Sequence, residues 1–384
     1  MSVTSAKGFR AAGVAAGLKS DGSPDVALVV NDGPEDVAAA VFTSNRVQAA
    51  PVLWTRQVLA DGRLRAVVLN SGGANACTGP DGFADTHRTA ERVAEVLGLG
   101  AGEVAVCSTG LIGERLPMST LLSGVDAAVG ALSSDGGTAA ATAILTTDTV
   151  TKTATFSHPD GWTLGGMAKG AGMLAPGLAT MLCVLSTDAL TDQAAAASAL
   201  RGATGRTFDR IDSDGCMSTN DTVLLLANGA SGHRALPADL AAALEQVCGQ
   251  LTQQLLADAE GATKEITIDI VGAASEAEAV EVGRSIARNN LLKCALFGND
   301  PNWGRVLAAI GTTSAQFEPD QLAVAINGVQ VCRDGQAGEP RDEVDLSARQ
   351  VRIEVNLHSG EQEATVWTND LSHAYVEENS AYST

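Results

Sequence analysis

The chain has 384 residues and a formal net charge of −20, a length that suggests two or three structural units. Hydrophobic residues make up 45% and charged residues 18%, a globular balance that excludes a disordered chain. The acidic excess repels polyanions and argues against nucleic-acid and acidic-membrane partners, while a local basic pocket stays allowed.

Residues 1–22 carry Lys7, Arg10 and Lys19 and no unbroken apolar run, so they do not read as a secretory signal. Apolar runs predict strands at Val26–Val30, Ala66–Asn70 and Val104–Val106, and helical spacing predicts helices at His87–Leu97 and Met118–Leu132. Next, Trp162–Met167 and Leu178–Leu185 read as strands on either side of the turn Lys169-Gly170-Ala171-Gly172. The most apolar window, Ala171–Leu185, is broken by Pro176 and falls short of the ~20 residues that span a bilayer.

A polar loop at Asp209–Asp221 leads into a strand at Thr222–Ala227 and a long helix at Ala238–Ala257, with Leu240, Leu244, Val247, Leu251 and Leu255 on one stripe. The alternating Glu265–Ile270 reads as a strand and Glu276–Leu296 as one helix. Beyond these, Asn327-Gly328 predicts a hairpin between Leu322–Ile326 and Val329–Cys332. Val351–Val355 and Ala364–Trp367 read as a second pair around His358-Ser359-Gly360, and the change of character places a soft boundary near residue 310. The residues alone thus point to a mixed α and β chain.

Several chemistries lack their raw material. The five histidines show no HxxxH or HExxH spacing, and neither GxSxG nor GxxxxGK[ST] occurs. Seven scattered cysteines with no CxxC suggest reduced thiols in a cytoplasm. Gly170-x-Gly172-x-x-Ala175 meets Pro176 where a dinucleotide fingerprint needs a helix. In Asp212-Ser213-Asp214-Gly215 a calcium-loop alignment puts Arg210 at the first ligand position. The carboxylates of that loop are expected to cap backbone N–H groups instead.

With so few histidines, attention turns to a nucleophile that brings its own base: an N-terminal threonine whose α-amine deprotonates its hydroxyl once the chain is cut in front of it. Thr180, in Met173-Leu174-Ala175-Pro176-Gly177-Leu178-Ala179-Thr180-Met181-Leu182, is the best internal candidate. On spacing alone it reads first as a β-branched strand residue.

The segment Lys169–Leu182 resembles the self-cleavage segment of the ornithine acetyltransferases, or glutamate N-acetyltransferases, of arginine biosynthesis. Asn70–Ala76, Ser108–Gly113, Thr146–Thr149, Ser218–Thr222, Gly298–Arg305 and Glu378–Tyr382 resemble that family in order, across essentially the whole chain. One departure is Gly177, where the family more often has a larger residue, commonly Asn.

The resemblance implies cleavage between Ala179 and Thr180, giving an α segment 1–179 and a β segment 180–384 that stay associated, two of each. It implies Thr180 as nucleophile, Thr109 and Gly110 as oxyanion donors, and Thr146, Lys169, Thr180, Glu260, Asn379 and Thr384 as substrate contacts. Lys169 suits a substrate carboxylate and Glu260 a substrate ammonium. Asn379 and Thr384 require the C-terminal tail to fold back into the site.

The implied reaction carries acetyl from N2-acetylornithine through Thr180 to glutamate, in ping-pong fashion, with no metal or organic cofactor; acetyl-CoA stays open as a second donor. The implied fold is a helix–sheet–sheet–helix sandwich resembling N-terminal-nucleophile hydrolases with different connectivity, plus a smaller C-terminal α/β unit. Two other readings stand beside it: an amidohydrolase or aminopeptidase with the same nucleophile, and a non-catalytic amino-acid-binding protein with an intact chain.

Overall fold

Two sheets stack face to face in the computed structural model, which describes residues 2–175 and 181–381. The first runs Phe9–Val14, Val26–Asn31, Ala66–Ser71, Val104–Thr109, its last two strands parallel. The second runs Val37–Phe42, Thr222–Ala227, Leu182–Thr187, Thr163–Lys169, Lys152–Ser157, with only Thr222–Ala227 and Leu182–Thr187 parallel.

Side chains alternate across each strand, so every second residue enters a different core. Val29, Val67, Leu69 and Ala105 of the first sheet meet Met167, Leu182, Val184 and Leu224 of the second. The residues between them, such as Leu28, Val68 and Val106, pack under helices Gly79–Leu97 and Met118–Gly130. Leu164, Leu185, Val223 and Leu225 cover the far face of the second sheet with helices Gln193–Arg206 and Pro237–Ala257. The layers are therefore helix, sheet, sheet, helix, in agreement with the expected fold class. Burial on both faces explains why these strands read as unbroken apolar runs.

A third sheet and its helices form the C-terminal unit, with strand order Gln336–Ala337, Val329–Arg333, Ala323–Ile326, Gln350–Asn356, Glu265–Ala273, Gln362–Asn369. Ile266, Ile268 and Ile270 pack there with Val282 and Ile286 of helix Glu276–Ala287 and Ile310 of helix Trp303–Ile310. Residue 310 thus falls inside this core, which begins at Ile266, rather than in front of it.

The Asn327-Gly328 hairpin forms, with φ of 48° and 86° at its two central residues, the left-handed pair such a turn requires. The second expected pair does not. Gln350–Asn356 and Gln362–Asn369 are strands, but Glu265–Ala273 lies between them, parallel to the first and antiparallel to the second. The single helix expected over Glu276–Leu296 is two, Glu276–Ala287 and Asn290–Phe297, because Asn289 caps the second by accepting from the Leu292 N–H at 3.0 Å. Among the described residues no helix is long and apolar enough to cross a membrane.

Candidate active site

The register of the second sheet sets Lys169 beside Leu182 and Leu182 beside Thr222. The end of one strand and the starts of the next two therefore share one corner of the sandwich. Thr109 closes strand Val104–Thr109 of the facing sheet at the same corner. Lys169 Nζ donates to Thr146 Oγ1 at 2.6 Å and reaches Thr109 Oγ1 at 3.4 Å. The turn after Thr109 folds onto Gly72 and Gly73, whose N–H groups each donate to the Thr109 carbonyl at 3.0 Å. Gly110 takes φ 128°, and a Cβ there would lie 2.5 Å from Gly73 N, so only glycine fits.

Lys169 is 2% exposed. Burial lowers the pKa of its ammonium and Lys152 adds to that, while Asp148, Asp221 and Glu260 act in the opposite sense. Asp148 gathers the surrounding donors: Oδ1 accepts from Lys152 Nζ and from the Gly170 N–H, both at 2.6 Å, and Oδ2 accepts from the Thr146 N–H at 3.1 Å. Oδ2 also lies 3.7 Å from Lys169 Nζ. Burial pushes the Asp148 carboxyl up, but Lys169, Lys152 and the Gly170 N–H outweigh it and hold it at about 2. Lys152 sits opposite Ala168 in the register and reaches Asp258 at 2.5 Å on its other side. Asp258 in turn accepts from the Thr149 N–H at 3.0 Å.

Glu260 stands in the turn after helix Pro237–Ala257, where its N–H donates to the Ala171 carbonyl at 3.0 Å. This contact ties Glu260 to the turn that leaves Lys169. The tail folds back: helix His373–Ala381 brings Asn379 Nδ2 to 3.0 Å from Glu260 Oε2, and Ser372 Oγ donates to the Gly261 carbonyl at 2.5 Å. Gly261 has φ 62°, and a Cβ there would lie 2.2 Å from Tyr375 N. Its close approach to the tail is what demands glycine, since the helix has already ended at Ala257. A cavity of about 450 Å³ opens beside Glu260, Asp214, Lys293, Asp370 and Tyr375.

The loop of residues 209–221 clamps the chain at two points. Asp214 accepts from the Leu174 N–H at 3.1 Å and the Cys216 N–H at 3.0 Å, and Asp221 accepts from the Met181 N–H at 3.0 Å. Capping of N–H groups by these carboxylates agrees with the reading from sequence. Burial drives the Asp221 carboxyl up to about 8 against the Met181 N–H, the Ser218 hydroxyl and the charge of Lys169. Among the described residues its Oδ2 has no hydrogen-bond partner.

The structure thus brings together Thr109, Gly110, Thr146 and Lys169, and separately Glu260 with Asn379. Ala179, Thr180 and Thr384 lie outside the described residues. Sequence reasoning gave no site role to Asp148, Lys152 or Asp258, although Asp148 lies within the Thr146–Thr149 motif. Among the described residues no cluster of His, Cys, Asp and Glu gathers as a metal ion would require.

Comparison with known families decides the relationship: the ArgJ family model matches residues 10–384. This chain belongs to the ArgJ family. Its relatives there include the arginine biosynthesis bifunctional protein ArgJ of Streptomyces avermitilis, 67% identical over all of both chains. The ArgJ protein of Mycobacterium tuberculosis is 59% identical over 99% of this chain and 96% of its own. A solved ornithine acetyltransferase from M. tuberculosis, complexed with ornithine, is 62% identical over 47% of this chain and 96% of that one, with a TM-score of 0.46.

Proposed function

We propose that this chain is a self-processing acetyltransferase of arginine biosynthesis, moving acetyl from N2-acetylornithine to glutamate. The observation that carries the reading is full-length membership of the ArgJ family. The gathering of Thr109, Thr146 and Lys169 at one corner of the sandwich supports it.

In this reading the chain is cut between Ala179 and Thr180, and the freed α-amine, with a reference pKa of about 7.7–8.0, takes the proton of the Thr180 hydroxyl. Thr180 Oγ attacks the acetyl carbonyl of N2-acetylornithine. The oxyanion is met by Thr109 and Gly110, the amide C–N bond breaks, and ornithine leaves with the proton. The glutamate amine then attacks the acetyl ester and restores Thr180. Lys169 holds the substrate carboxylate, Glu260 the ornithine side-chain ammonium, and Thr146, Asn379 and Thr384 supply neutral hydrogen bonds.

In a protein of net charge −20, the buried cation at Lys169 offsets the field that would repel a carboxylate substrate. The name of these relatives, a bifunctional protein, supports acetyl-CoA as a second donor at the same threonine. Two α and two β segments, working in the cytoplasm, complete the proposal.

The test is intact mass under denaturing conditions for wild type beside Thr180→Ala, followed by transfer assays with each donor. Two fragments summing to the precursor plus one water, an uncleaved variant and N-acetylglutamate formed from N2-acetylornithine are expected. Ornithine released at the same rate without glutamate would instead make the enzyme an amidohydrolase. An uncleaved wild type that still transfers acetyl would remove the N-terminal threonine from the mechanism.

A further inference from the structure

Lys152, Asp148, Lys169 and Asp258 form an alternating row of charges in the molecule, and nothing in the reaction above uses three of them. We propose that Asp148 is a positioning residue for acetyl transfer, holding Lys169 charged and in place for the substrate carboxylate. The inference rests on the reading of Lys169 as the carboxylate partner.

The Asp148 side chain is fully buried. Two of the groups it binds belong to proposed substrate contacts: the Thr146 N–H at 3.1 Å and, across 3.7 Å, the Lys169 ammonium. A third, the Gly170 N–H at 2.6 Å, fixes the first residue of the turn that leads away from Lys169. One carboxylate therefore sets the spacing between Thr146 and Lys169.

At 3.7 Å the Lys169 contact is longer than a hydrogen bond, so Asp148 acts on that ammonium chiefly through charge. The hydrogen bonds of Lys169 go to the hydroxyls of Thr146 and Thr109 instead. Lys152 binds the same carboxylate at 2.6 Å and repels Lys169. Asp258 takes a share of the Lys152 charge at 2.5 Å. Among the described residues, the other charged groups that act on Lys169 are Asp221, Glu260 and Lys19, the last held by the carbonyls of Leu145 and Pro24. These three stay the same in the variants below, so a difference from wild type reports on Asp148 and Lys152 alone.

Neutralising the two residues has opposite consequences. Without the Asp148 charge, burial dominates Lys169, which gives up its proton at lower pH. Without Lys152, repulsion is relieved and Lys169 keeps its proton to higher pH. A residue that merely held the fold would predict losses of one kind in both variants.

The experiment compares pH profiles of kcat/KM for N2-acetylornithine in wild type, Asp148→Asn and Lys152→Met, all as full-length, self-processed protein. In Asp148→Asn the alkaline limb is expected about one pH unit lower, with KM rising more than kcat falls; in Lys152→Met it is expected to move the other way. If Asp148→Asn does not fold, an alkaline shift in Lys152→Met alone supports the proposal. Limbs that stay put or move together overturn it, as does failure of both variants to fold, which would make the row purely structural. Absence of cleavage or transfer in wild type would instead overturn the functional reading itself.

Discussion

Among the described residues, Lys152 and Lys169 are buried in the sandwich and Lys264 and Lys293 in the C-terminal unit, but the two pairs end on different partners. In the sandwich, both ammonium groups face the Asp148 carboxylate. In the C-terminal unit, Lys264 Nζ donates to the carbonyls of Leu346 at 2.5 Å and Ala348 at 3.0 Å. Lys293 donates to the Ser213 carbonyl at 2.6 Å, the Thr368 hydroxyl at 2.9 Å and the Asn369 carbonyl. A lysine spent on main-chain carbonyls fixes the course of the chain. A lysine whose charge is balanced by a carboxylate, with its hydrogen bonds on threonine hydroxyls, is free to meet another anion.

The largest effect is expected from Lys169→Met. A charge-assisted contact to substrate is worth about 1.5–3 kcal/mol, so kcat/KM should fall by about 10- to 100-fold. The thermal midpoint should move little, because Asp148 keeps Lys152 as its partner. Lys264→Met is the mirror image. The buried Leu346 carbonyl loses its donor at about 1–3 kcal/mol and the more exposed Ala348 carbonyl, which water can reach, loses less, lowering the midpoint by about 5 °C, while kcat/KM of the folded enzyme holds. Steady-state kinetics and thermal unfolding on both variants break the comparison if activity and stability fall together in each.

The C-terminal unit was also the harder part to read from sequence. Alternation identified Glu265–Ile270, the turn His358-Ser359-Gly360 marked out both late strands, and Asn327-Gly328 marked its hairpin, because these signals are local. Placing Glu265–Ala273 between Gln350–Asn356 and Gln362–Asn369 requires pairing across roughly 85 to 105 residues of chain, which no local pattern carries. The split at Asn289 was legible in principle, since Asn is a strong N-cap. The helical apolar spacing on both sides masked it.

The site divides in the same way. Thr109, Gly110, Thr146 and Lys169 were found through short motifs and the family they resemble; strand ends sharing a corner bring Thr109, Gly110 and Lys169 together, and the loop after helix Gly137–Ala143 adds Thr146. Asp258 lies 106 positions from Lys152. Its neighbourhood reads only as the end of a helix, so the charge row is visible in three dimensions alone.

A smaller effect is expected where the two regions touch. Gly261 joins the long helix of the sandwich to the C-terminal tail, and a methyl group there would meet Tyr375 N at 2.2 Å. Gly261→Ala should push helix His373–Ala381 away and weaken the Asn379–Glu260 contact. KM for N2-acetylornithine should rise roughly tenfold with kcat changed less. Equal losses in kcat and kcat/KM would mean that the tail acts in the chemical step rather than in binding.

The smallest effect sharpens the comparison from the acidic side. The side chains of Asp148 and Asp221 are both fully buried, yet Asp148 is held at about 2 by two lysines while burial pushes Asp221 to about 8 against the Met181 N–H and the Ser218 hydroxyl. A carboxyl raised in the folded state keeps a proton that the unfolded chain releases above pH about 4. Its contribution to stability is therefore fully present below that pH and is lost as the pH rises through about 8. Asp221→Asn retains an oxygen for the Met181 N–H and cannot ionise. In a Thr180→Ala background, which on the proposed function keeps the chain in one piece, its thermal midpoint should gain on that of Asp221 steadily between pH about 5 and 8. Parallel curves over that range would show that Asp221 is ionised throughout, with Lys169 supplying its counter-charge, and would extend the charge row of the sandwich to the residue that anchors Met181.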